Sequence, residues 1–288
     1  MRRTDNQLGI LLMCLTSLIF ALQDGLSRHL ADSYNVFVVV MIRYWFFAAF
    51  VILIAMRNGG LRQAVHTKHP ILQITRGVIL ALEICVTVAA FTLLGLTETH
   101  AIFACFPLII AAFSGPVLGE TVGIHRWLAI GLGALGVLVI LRPSGGVFTP
   151  AAAVPLLGAA MFAAYHLMTR YVAAQDSPAT SFFYTGVSGG VVMTGIGVFY
   201  WQPIVGSDVI WMLILCCSAL FGHWLLIKTY EYAEASVVQP FAFLQLPFAS
   251  ILGMAVFAET LRINLVIGAS IVVAAGVFTL WREHHKKH

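Results

Sequence analysis

Charge is what this chain lacks most. Only 10% of its 288 residues are Asp, Glu, Lys or Arg, while 60% are hydrophobic; soluble domains run at about 25% and 45–50%. So few charges cannot cover a core of this size with a wetted surface, so most side chains must meet lipid. The net charge of +4 is too slight and too scattered for a nucleic-acid partner. The five cysteines (Cys14, Cys85, Cys105, Cys216, Cys217) lie inside apolar runs without zinc-ligand spacing, which makes them packing groups and predicts no metal. HExxH and P-loop fingerprints are missing. No catalytic residue and no cofactor are therefore expected. No polar stretch is long enough for a linker or a soluble domain.

What remains is a series of apolar runs of the length a bilayer core requires, about 20 residues each. There are ten: Leu8–Arg28, Tyr34–Met56, Ile71–Leu94, Ala101–Leu118, Ile124–Leu141, Ala151–Tyr171, Ser177–Trp201, Ser207–Tyr230, Ser236–Ala258 and Ile263–Trp281. Short turn-like separators such as AMRNGG, RPSGG and AQDSP join them. The spacing predicts an all-α integral membrane protein of ten transmembrane helices, a single membrane domain with the lipid bilayer as solvent. Ten spans put both termini on one side, and that side holds 12 of the 16 Lys and Arg, including Arg57, Arg76 and Arg170. Three lie opposite (Arg28, Arg142, Arg262), and Arg43 is inside a span. The positive-inside rule then places both termini in the cytoplasm of a bacterial-type inner membrane. The opening MRR and its apolar run imitate a signal peptide, but this segment has a later counterpart and belongs to the fold.

The chain also repeats itself. FPLIIAAFSGPVLGET (Phe106–Thr121) is echoed by LPFASILGMAVFAET (Leu246–Thr260). At an offset of 140, Phe103 meets Phe243, Pro107 meets Pro247, Gly136-Val137 meets Gly276-Val277 and Arg142 meets Arg282. At 142, FALQDGLSRHLA (Phe20–Ala31) overlies FAAYHLMTRYVA (Phe162–Ala173). Residues 1–145 and 146–288 thus read as two copies of a five-helix unit. Five is odd, so the second enters from the opposite side, as an inverted repeat suited to alternating access around a site near the midplane.

IRYWFFAAF (Ile42–Phe50), TRGVILAL (Thr75–Leu82) and above all AEASVVQPFAFLQLPFASILGMAVFAET (Ala233–Thr260) carry a resemblance covering nearly the whole chain. The sequence resembles the EamA-type transporters of the drug/metabolite transporter superfamily, and within it is most similar to bacterial exporters of the aromatic amino-acid type. The resemblance implies a non-enzymatic inner-membrane exporter of amino acids or related metabolites, with spans one, three, four, six, eight and nine lining a cavity. The first copy departs from the pattern: GLTETHAIFACF (Gly95–Phe106) lacks the Ala-Ser-Val-Val-x-Pro run of the second.

Ionisable groups at membrane depth are costly and usually face a bundle interior. Glu83 stands near the midplane, with His223 as its counterpart at offset 140; Asp24 corresponds to His166 at 142. One reading makes Glu83 the partner of a substrate ammonium and His223 a donor to a carboxylate. The other makes them a structural pair bracing the two halves. Asp24 and His166 are expected towards opposite ends, as gates or as hydrated helix ends. Thr16, Ser17, Gln23, Asp24 and Ser27 share one stripe of span one and, like Gln245, either line a cavity or bond helix to helix. Phe103, Phe106, Tyr165, Trp224 and Phe243 offer aromatic walls for a flat ligand, or simply pack. Pro107, Pro240 and Pro247 either break helices at a site or fix a kink. Glu120 and Glu259 are expected to cap the helix that follows each, and Arg43 to snorkel or pair with a buried carboxylate. The partner is thus a small-molecule substrate, and the oligomeric state, a monomer included, is left open by the sequence. Two rivals stay open: export of lipophilic cationic drugs, and an intramembrane enzyme using Glu83 and His223.

Overall fold

Lipid cannot hydrogen-bond a peptide group, so an apolar run that spans it closes its own bonds as a helix. The computed structural model describes residues 6–57, 59–120, 123–141, 150–260, 263–264, 266–271 and 274–275. Among these the helices are α1 (Asn6–Ala31), α2 (Val36–Arg57), the short α3 (Leu61–Ala64), α4 (Pro70–Leu94), α5 (Leu96–Phe103), α6 (Phe106–Leu118) and α7 (Ile124–Leu141). They continue with α8 (Ala153–Ala173), α9 (Pro178–Gly197), α10 (Asp208–Tyr232), α11 (Ala235–Ala242) and α12 (Gln245–Phe257). Seven stretches, counting α5 and α6 together, are long and apolar enough to cross a membrane among the described residues. Beyond α12 the described residues 263–264, 266–271 and 274–275 are helical. The rest of the tenth expected span and the repeat landmarks Arg142, Gly276, Val277 and Arg282 lie outside the described residues.

The fourth and ninth spans are each two helices, not one. Proline's ring collides with the carbonyl four residues earlier. For Pro107 that residue is Phe103, where α5 stops; for Pro247 it is Phe243, just past the end of α11. Both prolines then fall in the first turn of the succeeding helix, where a missing N–H costs nothing. The fourth span also begins earlier than the sequence suggested, at Leu96, with only Gly95 between it and the end of α4.

Packing runs in matched pairs. α1 lies along α10 as α8 lies along α4; α1 touches α12 as α8 touches α6; α5 meets α12 as α11 meets α6; α2 packs on α9. The exterior is lipid-like: Leu11, Leu15, Leu18 and Leu22 form an exposed stripe on α1. The opposite face of the same helix buries Thr16, Ser17, Gln23 and Ser27, which splits the polar stripe between its two expected uses. Ser17 bonds the Phe241 carbonyl of α11 at 3.3 Å, whereas Gln23 and Asp24 face the cavity described below.

Arg76, counted above among the charges flanking the membrane, is instead wholly buried. Its guanidinium donates to Thr169 (3.0 Å), Thr185 (2.8 Å) and the Ser181 carbonyl, riveting α4 to α8 and α9. Without it the charge bias keeps its sign. Near it, Asp176 in the α8–α9 turn accepts from Gln73 (2.9 Å), the Lys68 amide (3.1 Å) and Thr67. Partial burial pushes this carboxyl up, but those hydrogen bonds outweigh it and hold the group below its ordinary value.

Candidate functional site

A cavity occupies the centre of the bundle. Its wall takes Phe20, Gln23 and Asp24 from α1, Arg43 from α2, and Leu80, Glu83, Ile84, Thr87 and Val88 from α4. Phe103 of α5, Phe162 of α8, His223 of α10 and Gln245 of α12 complete it. The volume is about 30 Å³, room for roughly two waters, so a metabolite can enter only if the walls part. A smaller hollow of about 10 Å³ adjoins it where the two broken helices cross, between His100, Phe103, Phe106, Pro107, Phe243 and Gln245.

Each charged group on the wall has a defined partner. Glu83, mid-way along α4, accepts from Thr87 Oγ1 at 2.6 Å. Asp24 accepts from Gln245 Nε2 at 2.9 Å, which ties α1 to α12, and lies 3.1 Å from His100 Nε2 of α5. Arg43 Nη2 lies 3.2 Å from His223 Nε2. A guanidinium can only donate, so Nε2 accepts and the His223 proton is on Nδ1. With its amide turned so that oxygen faces the guanidinium, Gln23 accepts from Arg43 at 3.0 and 3.3 Å.

Two clasps close the ends. Glu259, just beyond α12, accepts from the Leu96 and Thr97 amides at the start of α5, both at 2.8 Å, and from Arg28 near the end of α1. The Arg28 guanidinium also stacks 4.1 Å over the Phe257 ring. Burial pushes the Glu259 carboxyl up, but Thr97, Leu96 and Arg28 outweigh it and hold the group below its ordinary value. Glu120, just beyond α6, accepts from the Ala235 amide at the start of α11 (3.2 Å) and from Arg170 Nε (3.0 Å). A carboxylate at a helix N-terminus meets unpaired amides and the positive end of the helix dipole. α5–α6 starts at the Glu259 clasp and ends at the Glu120 clasp; α11–α12 runs the other way. The clasps therefore sit at opposite ends of the bundle. Gly95 is required at the first: its φ is +82°, and a Cβ there would stand 2.7 Å from Glu259 Oε1.

The sequence pattern of the EamA-like transporter family matches residues 7–142 and again 149–281. This chain belongs to the EamA-like transporter family. It is 23% identical over 275 residues to an S-adenosylmethionine uptake transporter of Rickettsia prowazekii, covering 96% of this chain and 93% of that one. It is 28% identical over 281 residues to a riboflavin transporter of Vibrio cholerae, covering 95% and 93%. A crystal structure shares the fold, with a TM-score of 0.74 over 95% of this chain and 97% of its own at 14% identity. The protein is a multi-pass membrane transporter of this family.

In this EamA-like transporter the residues singled out from sequence divide into three groups. Asp24, Glu83, Phe103, His223 and Gln245 are brought together on the cavity wall. Phe106 and Phe243 line the adjoining hollow. Three lie elsewhere. Trp224 is 43% exposed and stacks on Phe221, on the bundle's outer surface. Tyr165 is buried beneath Arg76. His166 is no helix-end group: its Nδ1 lies 2.5 Å from the Tyr230 hydroxyl and its ring packs on Phe162 and Phe106. Glu83 and His223 share the cavity without bonding one another, since Thr87 and Arg43 take those places. Asp24 belongs to the wall and not to a hydrated end. Arg43 does not snorkel, being 2% exposed, and among the described residues it pairs with no carboxylate. Glu120 and Glu259 do cap helices, but each caps the broken helix of the other half. His100 was missed entirely; its place on α5, 3.1 Å from Asp24, is what the departing GLTETH segment supplies.

Proposed function

We propose that this protein is an alternating-access carrier built from two inverted five-helix repeats, residues 1–145 and 146–288, in a bacterial inner membrane with both termini cytoplasmic. The observation that carries this reading is the pair of clasps at opposite ends of one contracted central cavity, supported by the reciprocal packing of the halves. Opening one clasp while the other holds would expose the cavity to one side at a time. With the termini inside, Arg28–Glu259 is the outer clasp and Arg170–Glu120 the inner one.

The cargo is a small metabolite with an ammonium group for Glu83 or Asp24 and a flat apolar part for Phe20, Phe103 and Phe162. Aromatic amino acids meet that description. So does S-adenosylmethionine, which joins an amino-acid end to an adenine ring. Export, expected from the sequence, and uptake, in the names of relatives, are one reversible cycle run in opposite senses. An enzymatic Glu83–His223 dyad is disfavoured because each of the two side chains is engaged by another. Flux of labelled L-tryptophan, S-adenosylmethionine, riboflavin and a lipophilic cation into proteoliposomes tests the proposal. Saturable flux of the first two is expected. No flux of any compound above protein-free vesicles would defeat it.

A further inference from the structure

The acids on the cavity wall are engaged and the cation is left over. Asp24 accepts from Gln245 and lies 3.1 Å from His100 Nε2, and Glu83 accepts from Thr87. Arg43 lines the same cavity and is 98% buried, since 2% of it is exposed. Yet no carboxylate among the described residues lies within ion-pair distance of it. Its partners are two neutral acceptors, Gln23 Oε1 and His223 Nε2. A buried guanidinium whose hydrogen bonds go only to neutral groups is expensive. The same contact turns His223 into a donor, and its Nδ1 is buried without an acceptor. The wall thus gathers hydrogen-bond donors around one spot, while its two carboxylates, Asp24 and Glu83, make their hydrogen bonds elsewhere.

We propose that Arg43, oriented by Gln23 and assisted by His223, is the subsite for the carboxylate of the cargo. The substrate class is then the amino-acid zwitterion: carboxylate on Arg43, ammonium on Glu83 or Asp24, flat group among the phenylalanines. This rests on the carrier reading above and narrows it. A fork-shaped guanidinium suits a planar carboxylate. A phosphate dianion would meet one arginine and two carboxylates, a poor balance of charge. A simple amine would leave Arg43 unanswered.

The test compares matched pairs in proteoliposomes holding wild type or Arg43→Gln: L-tryptophan against tryptamine, and S-adenosylmethionine against its decarboxylated form. Wild type should prefer each carboxylate by about ten- to a hundredfold in affinity, the worth of one charge-assisted contact. Arg43→Gln should lose that preference, the fall in affinity being larger for the carboxylate member of each pair than for its amine. If Arg43 is a structural brace, the variant weakens both members of a pair alike and the preference survives, which overturns the proposal. Wild type moving the amines as well as their parents, or moving riboflavin alone, overturns it too and leaves the carrier standing. No flux of any compound defeats the carrier reading and this one with it. Should Arg43→Gln fail to fold, Arg43→Lys decides. It keeps the charge without the fork, so a reduced preference supports the subsite and an unaltered one refutes it.

Discussion

Replacing Glu259 by Gln should unlock one end of the bundle and leave the other shut. The carboxylate offers two oxygens to two amides, each at 2.8 Å, and its charge faces Arg28. A glutamine offers one acceptor and no charge. The loss is one charge-assisted hydrogen bond, about 1.5–3 kcal/mol, and the charge–dipole attraction at the start of α5, about 0.3–1 kcal/mol. Their sum of about 2–4 kcal/mol shifts the closed-to-open ratio at that end by about thirty- to seven-hundredfold. Gln23 on the cavity wall, changed to Cys in a chain with its five native cysteines replaced, can report opening through its labelling rate with an impermeant thiol reagent in sealed vesicles of either orientation. Labelling from the Arg28 side should rise in Glu259→Gln and stay unchanged from the Arg170 side; Glu120→Gln should do the reverse. Acid should mimic the first variant. The Glu259 carboxyl titrates below its ordinary value of 4.5, so its contribution is complete above that pH and is lost as pH falls through the lower folded value. Equal effects of both variants on both sides would refute the clasps as separate gates.

Glu83→Gln can keep the bond to Thr87, so it should fold, while its affinity for an ammonium-bearing substrate falls about ten- to a hundredfold in proteoliposome flux; unaltered flux would remove Glu83 from the site. A double-mutant cycle on thermal stability should give a coupling of at least about 0.5 kcal/mol between Arg43 and His223. The cycle between Glu83 and His223 should give less, because Arg43 and Thr87 hold them apart; the opposite order would contradict the geometry. Gly95→Ala must adopt a positive φ and displace Glu259, at a cost of about 1–3 kcal/mol, read as a fall in detergent-solubilised melting temperature. A reporter fused after His288 should behave as cytoplasmic and one inserted at residues 144–146 as periplasmic; both on one side would end the inverted topology.

Hydropathy located the seven long apolar stretches because lipid leaves an apolar run one way to satisfy its backbone, whereas the prolines left a break and a kink equally open, and only the assembled helices show that the chain breaks four residues back. Facing was harder to read. His223 and Trp224 are neighbours about 100° apart on α10, a helix apolar nearly all round, so nothing local says which turns inward. The fate of Arg43 depends on where His223 and Gln23 come to lie, which is a property of the assembled bundle. The crossing of the clasps was hidden for the same reason: the amide that Glu259 meets belongs to a residue 163 positions earlier, and sequence proximity favoured the next helix instead.

That separation sets an order of assembly. The ribosome adds about 5–20 residues per second, so the 163 residues between Leu96 and Glu259 take about 8–30 s to make. Throughout that interval the first two amides of α5 are in the membrane without their carboxylate. The Glu120 clasp is completed sooner, since its acceptor precedes Ala235 by 115 residues and is already waiting when the amide emerges. A nascent chain arrested before Glu259 would therefore hold one end tied and the other loose, and the first half expressed alone would have neither clasp. Tolerance to truncation should fall off sharply at Glu259, near the end of the ninth span, and not at the boundary between the repeats.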